Sequence, residues 1–343
     1  MPRHPTRRDV LASGAALAAF AGASALAPAR AEGPIVIKFS HVVAPDTPKG
    51  KGADRFRELA EKRTNGRVKI EVYPNSQLYK DKEELEALQL GSVQMLAPSL
   101  AKFGPLGVKE FEVFDLPFIF KDTPSFRAVT DGPVGASLFE KLEPKGVLGL
   151  AYWDNGFDVM SANRPLHHVA DFKGLKMRIQ SSKVLDANMR ALGAIPQVMA
   201  FSELYQGLQS GVVDGCENTP SNMYTQKLYE VQKYITVSNH GHISYAVVTN
   251  RKFWDGLPPE LRGILEACLK EATTYANAIA ETENQQALEK MRASGKTSVE
   301  PLAPAEAEEW KKAMFSVHRE MEGRVGRDTI LAVYKAAGFV VPA

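Results

Sequence analysis

The sequence predicts an α/β protein of two similarly built lobes joined by a long bracing helix, and three observations predict it. After residue 31, strand-like and helix-like segments alternate along the chain. The run Leu88-Gln89-Leu90-Gly91-Ser92-Val93 is echoed by Leu208-Gln209-Ser210-Gly211-Val212-Val213, each at the end of a helix that runs into a strand. From Pro258 to Ser294 no Gly or Pro breaks the helical pattern beyond Pro259 and Gly263 in the first turns, which gives one helix of about 35 residues, roughly 50 Å long. With 343 residues, 44% hydrophobic and 24% charged, the chain can fill two cores, and a disordered or multi-span membrane class is excluded.

The first element is an address. Basic residues precede an apolar run from Val10 to Ala27, and Ala29-Arg30-Ala31 offers a small-x-small cleavage site before Glu32, the pattern of a secretory signal over 1–31. The pair Arg7-Arg8 after Thr6 resembles the twin-arginine variant. The mature protein is therefore expected to begin after Ala31 in an exported, periplasmic compartment. No later segment reaches the roughly 18 unbroken apolar residues of a membrane span.

In the first lobe, Ile35 to Ser40 reads as a strand, and a helix runs from Pro48 to a stop at Gly66 with Ala53, Phe56, Leu59 and Ala60 on one face. Val68 to Val72 is a second strand. Asp81 with Glu84 three residues on reads as a capping box for a helix ending at Gly91, and Val93 to Ala97 follows as a strand. The second lobe repeats this grammar: strand Leu175 to Ile179, a helix capped by Ser182 and stopped at Gly193, strand Ile195 to Met199, and a helix from Ser202 to Ser210. One or two amphipathic helices are expected between Pro304 and Ala337. No low-complexity linker divides the chain, so several short crossings should join the lobes.

Residues 32–343 carry 38 basic and 39 acidic residues. This near-neutral body shows no basic stripe and points away from nucleic acid, toward a small molecule or protein partner. Cys216 and Cys268 form no disulfide framework and no metal spacing. GxSxG, GxxxxGK[ST], GxGxxG and HExxH signatures are absent. His167-His168 precedes a turn and reads as surface. His240 and His242 stand two apart beside a strand, with no acidic partner nearby in sequence to complete a metal site.

Three further features stand out as candidate ligand contacts, the first with a solvent-facing strand arginine and the third with a core aromatic cluster as its alternative reading. Arg178 lies near the end of a strand, where open sheets form their ligand crevice, and its planar fork suits a carboxylate. Asn218 closes Asp214-Gly215-Cys216-Glu217-Asn218 beside the same crevice. Tyr152-Trp153-Asp154-Asn155-Gly156-Phe157 is an aromatic and amide cluster where one lobe crosses to the next.

At these segments the chain resembles the extracytoplasmic solute-binding proteins of TRAP (tripartite ATP-independent periplasmic) transporters, C4-dicarboxylate-binding type. The matching stretches include FSHVVAPDTPKGKGADRF (39–56), YPNSQLYKDKEELEALQLGSVQMLAPS (73–99), DLPFIF (115–120), YWDNGF (152–157), DFKGLKMRIQSS (171–182), PQVMAFSELYQGLQSGVVDGCEN (196–218) and SNMYTQKLYEVQKYITVSNHG (221–241). The resemblance implies a periplasmic-binding-protein clamp: lobe I from 32–155 plus 244–283, lobe II from 156–243 plus 284–343, acting as a monomer without cofactor, metal or catalysis. Such a clamp closes on a small organic acid and delivers it to a membrane permease. By resemblance Arg178 forms the paired bonds to the ligand carboxylate, with Asn218 and Phe201 beside it. His41, Val42 and Ser99 face the cleft from the other lobe, with Phe118, Trp153 and Asn155 as walls. Apart from the resemblance, His240 is expected among the ligand-binding residues.

Two departures bear on the ligand. Where the family usually has a basic residue after the NGF segment, this chain has Asp158, and His242 stands where relatives often have Tyr. Either Asp158 turns away from the ligand, or the ligand is a monocarboxylate with a hydroxyl, amide or amine at its far end. The alternatives to transport are a ligand-sensing protein for a signalling receptor, and an organic-acid isomerase or lyase using His41 or His240 with Asp158.

Overall fold

The computed structural model describes residues 33–340; the export signal read at 1–31 and its cleavage after Ala31 lie outside them. Eleven strands appear among the described residues: β1 (Ile35–Ser40), β2 (Val68–Tyr73), β3 (Met95–Leu96), β4 (Val147–Phe157), β5 (Val159–Ala162), β6 (Lys176–Ile179), β7 (Ile195–Val198), β8 (Gly215–Asn218), β9 (Tyr234–Val237), β10 (His242–Asn250) and β11 (Ser298–Pro301). They form one sheet of order β2-β1-β3-β10-β4 and another of order β11-β9-β5-β8-β6-β7.

The two sheets repeat one plan. β1 runs parallel between β2 and β3, and β6 runs parallel between β7 and β8. β3 and β8 each then meet an antiparallel neighbour, β10 and β5. The six-residue echo falls at matching places, after helices Glu84–Gln89 and Leu204–Gln209. The strand expected over Val93 to Ala97 is shorter, ladder-bonded only at Met95–Leu96.

Local chemistry sets the helix starts. Thr47 accepts the N–H of Gly50 at 3.2 Å and Pro48 occupies the first turn of helix Pro48–Arg63. Ser182 accepts from Leu185 at 3.3 Å and starts Lys183–Ala191. Asp81 does not cap Glu84–Gln89, as its spacing suggests; the N-cap position is Glu83 and makes no side-chain cap bond.

The chain crosses from the first sheet to the second at Asp158, between β4 and β5, and returns through Ser238 to Gly241 between β9 and β10. The crossings are laced together: Asp158 N–H donates to Gly241 O at 3.0 Å, and Asn239 N–H donates to Asp158 O at 3.0 Å. The uninterrupted helix expected near Pro258 to Ser294 is Pro259–Ala293 and makes the third connection. Its Leu261, Leu265, Ala272 and Ala276 pack with Phe39, Phe56 and Trp153 in the first lobe, and its Met291 packs with Val159, Cys216 and Ile235 in the second. Between them Asn284 donates to Asn155 O and accepts the Ser221 N–H at 2.9 Å.

The stretch from Pro304 to Ala337 breaks into four pieces rather than one or two: Pro304–Met314, Ser316–Glu320, Glu322–Val325 and Arg327–Ala337. Grouping 284–343 with the second lobe does not describe the last of these. Val325, Ile330 and Val333 pack with Phe114, Phe126 and Val129 of the first lobe, and Arg324 donates to buried Glu112 at 2.5 and 2.7 Å. Among the described residues no helix is long and apolar enough to cross a membrane.

Candidate functional site

The carboxyl ends of the central strands of both sheets converge, as open α/β sheets place their ligand crevice. Val42 follows β1, Ser99 follows β3, Arg178 lies near the end of β6 with Gln180 just beyond it, and Asn218 ends β8; together they line one cavity. A second cavity adjoins it, sharing Ser99, Gln180 and Ile243 and continuing to Asp115, Asp158, Glu217 and His240. Both are narrow, about 20 and 10 Å³, close to the room of one water.

Arg178 dominates the first cavity and is 2% exposed. Its Nε donates to Met199 O at 2.9 Å, and its guanidinium carbon lies 5.8 Å from the Phe201 ring centroid. No carboxylate among the described residues forms an ion pair with it. Asn218 Oδ1 accepts from the Thr219 N–H and from Asn222 Nδ2, each at 2.9 Å, which leaves the amide NH₂ for the cavity. Asn222 Nδ2 also donates to Tyr245 Oη at 3.1 Å, tying the second lobe to β10.

Behind Arg178 lies a buried charge network. Lys102 Nζ reaches Asp81 at 2.5 Å and Glu84 at 2.7 Å. Burial by itself would raise the Asp81 carboxyl, but Lys102 and Arg178 outweigh it and hold it below the usual carboxylate range. For Glu84 burial wins, and its carboxyl sits above that range. Asp81 Oδ2 also accepts the Phe201 N–H at 2.6 Å, a bond from the first lobe to the second. Lys49, buried against the Tyr245 ring at 3.6 Å and donating to Ala97 O at 3.0 Å, is lowered to about 7, first by burial and then by Lys102.

The second cavity has the opposite character. Asp158 is 4% exposed; burial, then Glu217 and Asp115, push its carboxyl well above the usual range. His240 bridges Ser238 Oγ at 2.7 Å and Glu217 Oε2 at 3.1 Å, so the acidic partner missing from its sequence neighbourhood is Glu217. His242 instead stacks on Phe126 with ring centroids 4.3 Å apart, and burial lowers it to about 3. The two histidines share no metal site, and among the described residues no three His, Cys, Asp or Glu side chains are arranged to hold one.

The other expected site residues fall in three groups. Val42, Ser99, Arg178, Phe201 and Asn218 line the first cavity, and Ser99, Asp158 and His240 line the second. Asn155 and Phe118 stand one layer back: Asn155 Nδ2 bonds Thr219 Oγ1, and the Phe118 N–H donates to His240 O at 2.7 Å. His41 and Trp153 line neither cavity. His41 is buried and lowered to about 3 by burial and then by Lys49. Trp153 is a core residue, its ring 6.0 Å from Phe39 and its Nε1 donating to Thr273 Oγ1 at 2.8 Å, because its β4 position points to the first lobe's interior.

Sequence reasoning missed Asp81 as an interlobe contact, and Lys102, Asn222, Tyr245, Asp115 and Asn188 altogether. Asn222 carried one signal, standing one helical turn beyond Asn218.

The model of the family described as bacterial extracellular solute-binding protein, family 7, matches residues 39–324. The C4-dicarboxylate-binding periplasmic protein DctP of Rhodobacter capsulatus is 65% identical over 326 residues, covering 94% of this chain and 97% of its own. A TRAP periplasmic solute-binding protein from Shewanella oneidensis with bound succinate superposes with a TM-score of 0.87 at 43% identity, covering 89% of this chain and 99% of that one. Another from Pseudomonas aeruginosa with bound L-malate gives 0.81 at 46% identity, covering 84% of this chain and all of that one (100%). With the two-sheet fold and the long helix beside these matches, the chain belongs to family 7 of the bacterial extracellular solute-binding proteins.

Proposed function

We propose that this protein is the periplasmic capture component of a TRAP transporter: its lobes close on one small organic acid, and the closed form delivers the acid to the membrane permease. The lobes are 35–155 with 244–283 and the last helices on one side, and 156–243 with 284–314 on the other. Hinge motion is confined to the Asp158 crossing, the return through Ser238 to Gly241, and the long helix. Narrow cavities require opening for solute to reach them.

The observation that carries this reading is Arg178, a buried guanidinium with no carboxylate among the described residues in ion-pair contact with it, lining a cavity shared by both lobes. Asp81 compensates this charge only at a distance and leaves the guanidinium fork free, so the site favours a ligand that supplies a carboxylate in the geometry arginine recognises. The Asn218 amide and the Ser99 hydroxyl complete the donor set. The relatives' names, which specify C4-dicarboxylates, support an organic acid of this size.

Removing one partner of a buried ion pair costs roughly 3–5 kcal/mol. Arg178→Ala should therefore weaken binding about a hundred- to several-thousand-fold. Titration calorimetry on the purified mature protein, with a folded variant verified by its melting curve, tests this; a loss of only a few-fold removes Arg178 from the carboxylate role.

A further inference from the structure

We infer that the solute carries a protonated amine at the end remote from its carboxylate, so that the favoured ligand is a small amino acid with separated charges rather than a dicarboxylate. This rests on the reading above, in which Arg178 takes the carboxylate.

The second cavity is lined by Asp115, Asp158 and Glu217 and by no Lys or Arg. Of the imidazoles facing it, burial keeps His242 neutral, and both ring nitrogens of His240 are already engaged by Ser238 and Glu217. A second carboxylate placed there would join Glu217 and two carboxyls, Asp115 and Asp158, that burial already holds above their usual range, and crowding acids in this way is costly.

The hydrogen-bonding inventory points the same way. Asp158 Oδ1, Asp115 Oδ2 and Asn188 Oδ1 are shielded from solvent and have no hydrogen-bond partner. Asn188 is fixed by its own amide, whose Nδ2 donates to Asp115 O at 2.9 Å, so its Oδ1 is the end on offer. All three oxygens are acceptors on residues that line one cavity, where His242 Nε2 is the other unpartnered buried polar atom. An ammonium group brings three donors and a positive charge; a hydroxyl brings one donor and no charge; a carboxylate brings neither. Burial and the neighbouring acids raise the Asp158 carboxyl, and an ammonium beside it relieves that repulsion. The same cluster is not arranged as a metal site.

Calorimetry with the mature protein near neutral pH, using three chemically matched series, tests the inference. The series are the three-, four- and five-carbon ω-amino acids (β-alanine, 4-aminobutanoate, 5-aminopentanoate), the diacids malonate, succinate and glutarate, and the corresponding ω-hydroxy acids. At the best-fitting length the amino acid should bind about 30-fold or more tightly than its diacid. Asp158→Asn should erase most of that advantage and Asp158→Lys should reverse it, each variant checked by its melting curve. A wild-type protein that binds the diacid, or the hydroxy acid, as tightly as the amino acid overturns the inference and leaves the carboxylate clamp standing. Binding by none of the three series overturns both.

Discussion

Asp81 holds two partners from distant parts of the chain, Lys102 through Oδ1 and the Phe201 N–H through Oδ2. The second bond joins equivalent turns of the two lobes, since Asp81 follows β2 and precedes Glu84–Gln89 while Phe201 follows β7 and precedes Leu204–Gln209. Lys80 and Glu203 add a surface ion pair beside it at 2.7 Å. Asp81→Ala leaves the Phe201 amide without its acceptor when the lobes are closed, a loss of about 1–3 kcal/mol, so solute affinity should fall roughly 5- to 100-fold. Asp81→Asn keeps an acceptor and should recover part of it. Calorimetry on both variants decides, and an alanine variant with wild-type affinity denies the bond any part in closure. The placement of Arg178 and Asn218 at strand ends beside a cavity was legible, because strand ends are where open sheets leave a crevice. Asp81 was not, because an Asp three residues before a Glu is the spacing of a helix cap, and only the fold brings Lys102 between the two acids. Glu217 and His240 lie 23 residues apart in sequence, too far for a local pattern to pair them, and meet because β8 and the return crossing adjoin the same cavity.

Among the elements, the crossing strand β4 is the most constrained. Gly156 has φ of 133°, a conformation side chains rarely adopt, at an irregularity in the β4–β10 ladder beside Ile243 and Ser244. A Cβ there would lie 2.4 Å from Asn284 Nδ2. Gly156→Ala therefore combines backbone strain with displacement of the helix amide that bonds Asn155, and should destabilise the fold by about 1–3 kcal/mol. Thermal denaturation measures this, and an unchanged Tm means that the crossing relaxes around the methyl. The long helix was legible because the absence of internal Gly and Pro leaves a helical pattern nothing to stop it. The C-terminal pieces were less so. Their breaks at Phe315 and Met321 are ordinary helix-forming residues, and the packing of the last helix on the first lobe depends on an apolar face that sequence cannot assign to a partner.

For the whole molecule, two buried imidazoles set a pH response. His41 and His242 stay neutral in the folded protein down to about 3, whereas in the unfolded chain they protonate near 6.5. Below about 6.5 the unfolded state takes up protons that the folded state refuses, so each histidine lowers stability as pH falls, by up to about 1.4 kcal/mol per pH unit. Asp158 and Glu84 act in the opposite sense, since raised carboxyls take up protons first in the folded state. Comparing wild type with His242→Gln by urea denaturation separates the two: between pH 6.5 and 5 the variant should lose less stability, by up to about 1.4 kcal/mol per pH unit. Parallel curves would mean that His242 is not held neutral. The repeated plan of the molecule was visible in the six-residue echo, because both lobes need the same helix-to-strand junction at their central strands. The Asp81–Phe201 bond between the lobes was invisible, because a repeated plan relates positions and not residue types.

The long helix carries a further consequence. Ala276 sits against Gly52 and Trp153 in the first lobe, Asn284 holds Asn155 and Ser221 at the crossing, and Met291 enters the second core. Each added residue turns everything beyond it by about 100°. One insertion between Ala276 and Asn284 would swing the amide off the crossing and Met291 out of its core, while outward positions such as Glu281 and Gln285 accept exchange. The helix is thus a phase standard shared by both lobes, and descent can rewrite its outer letters only at constant length.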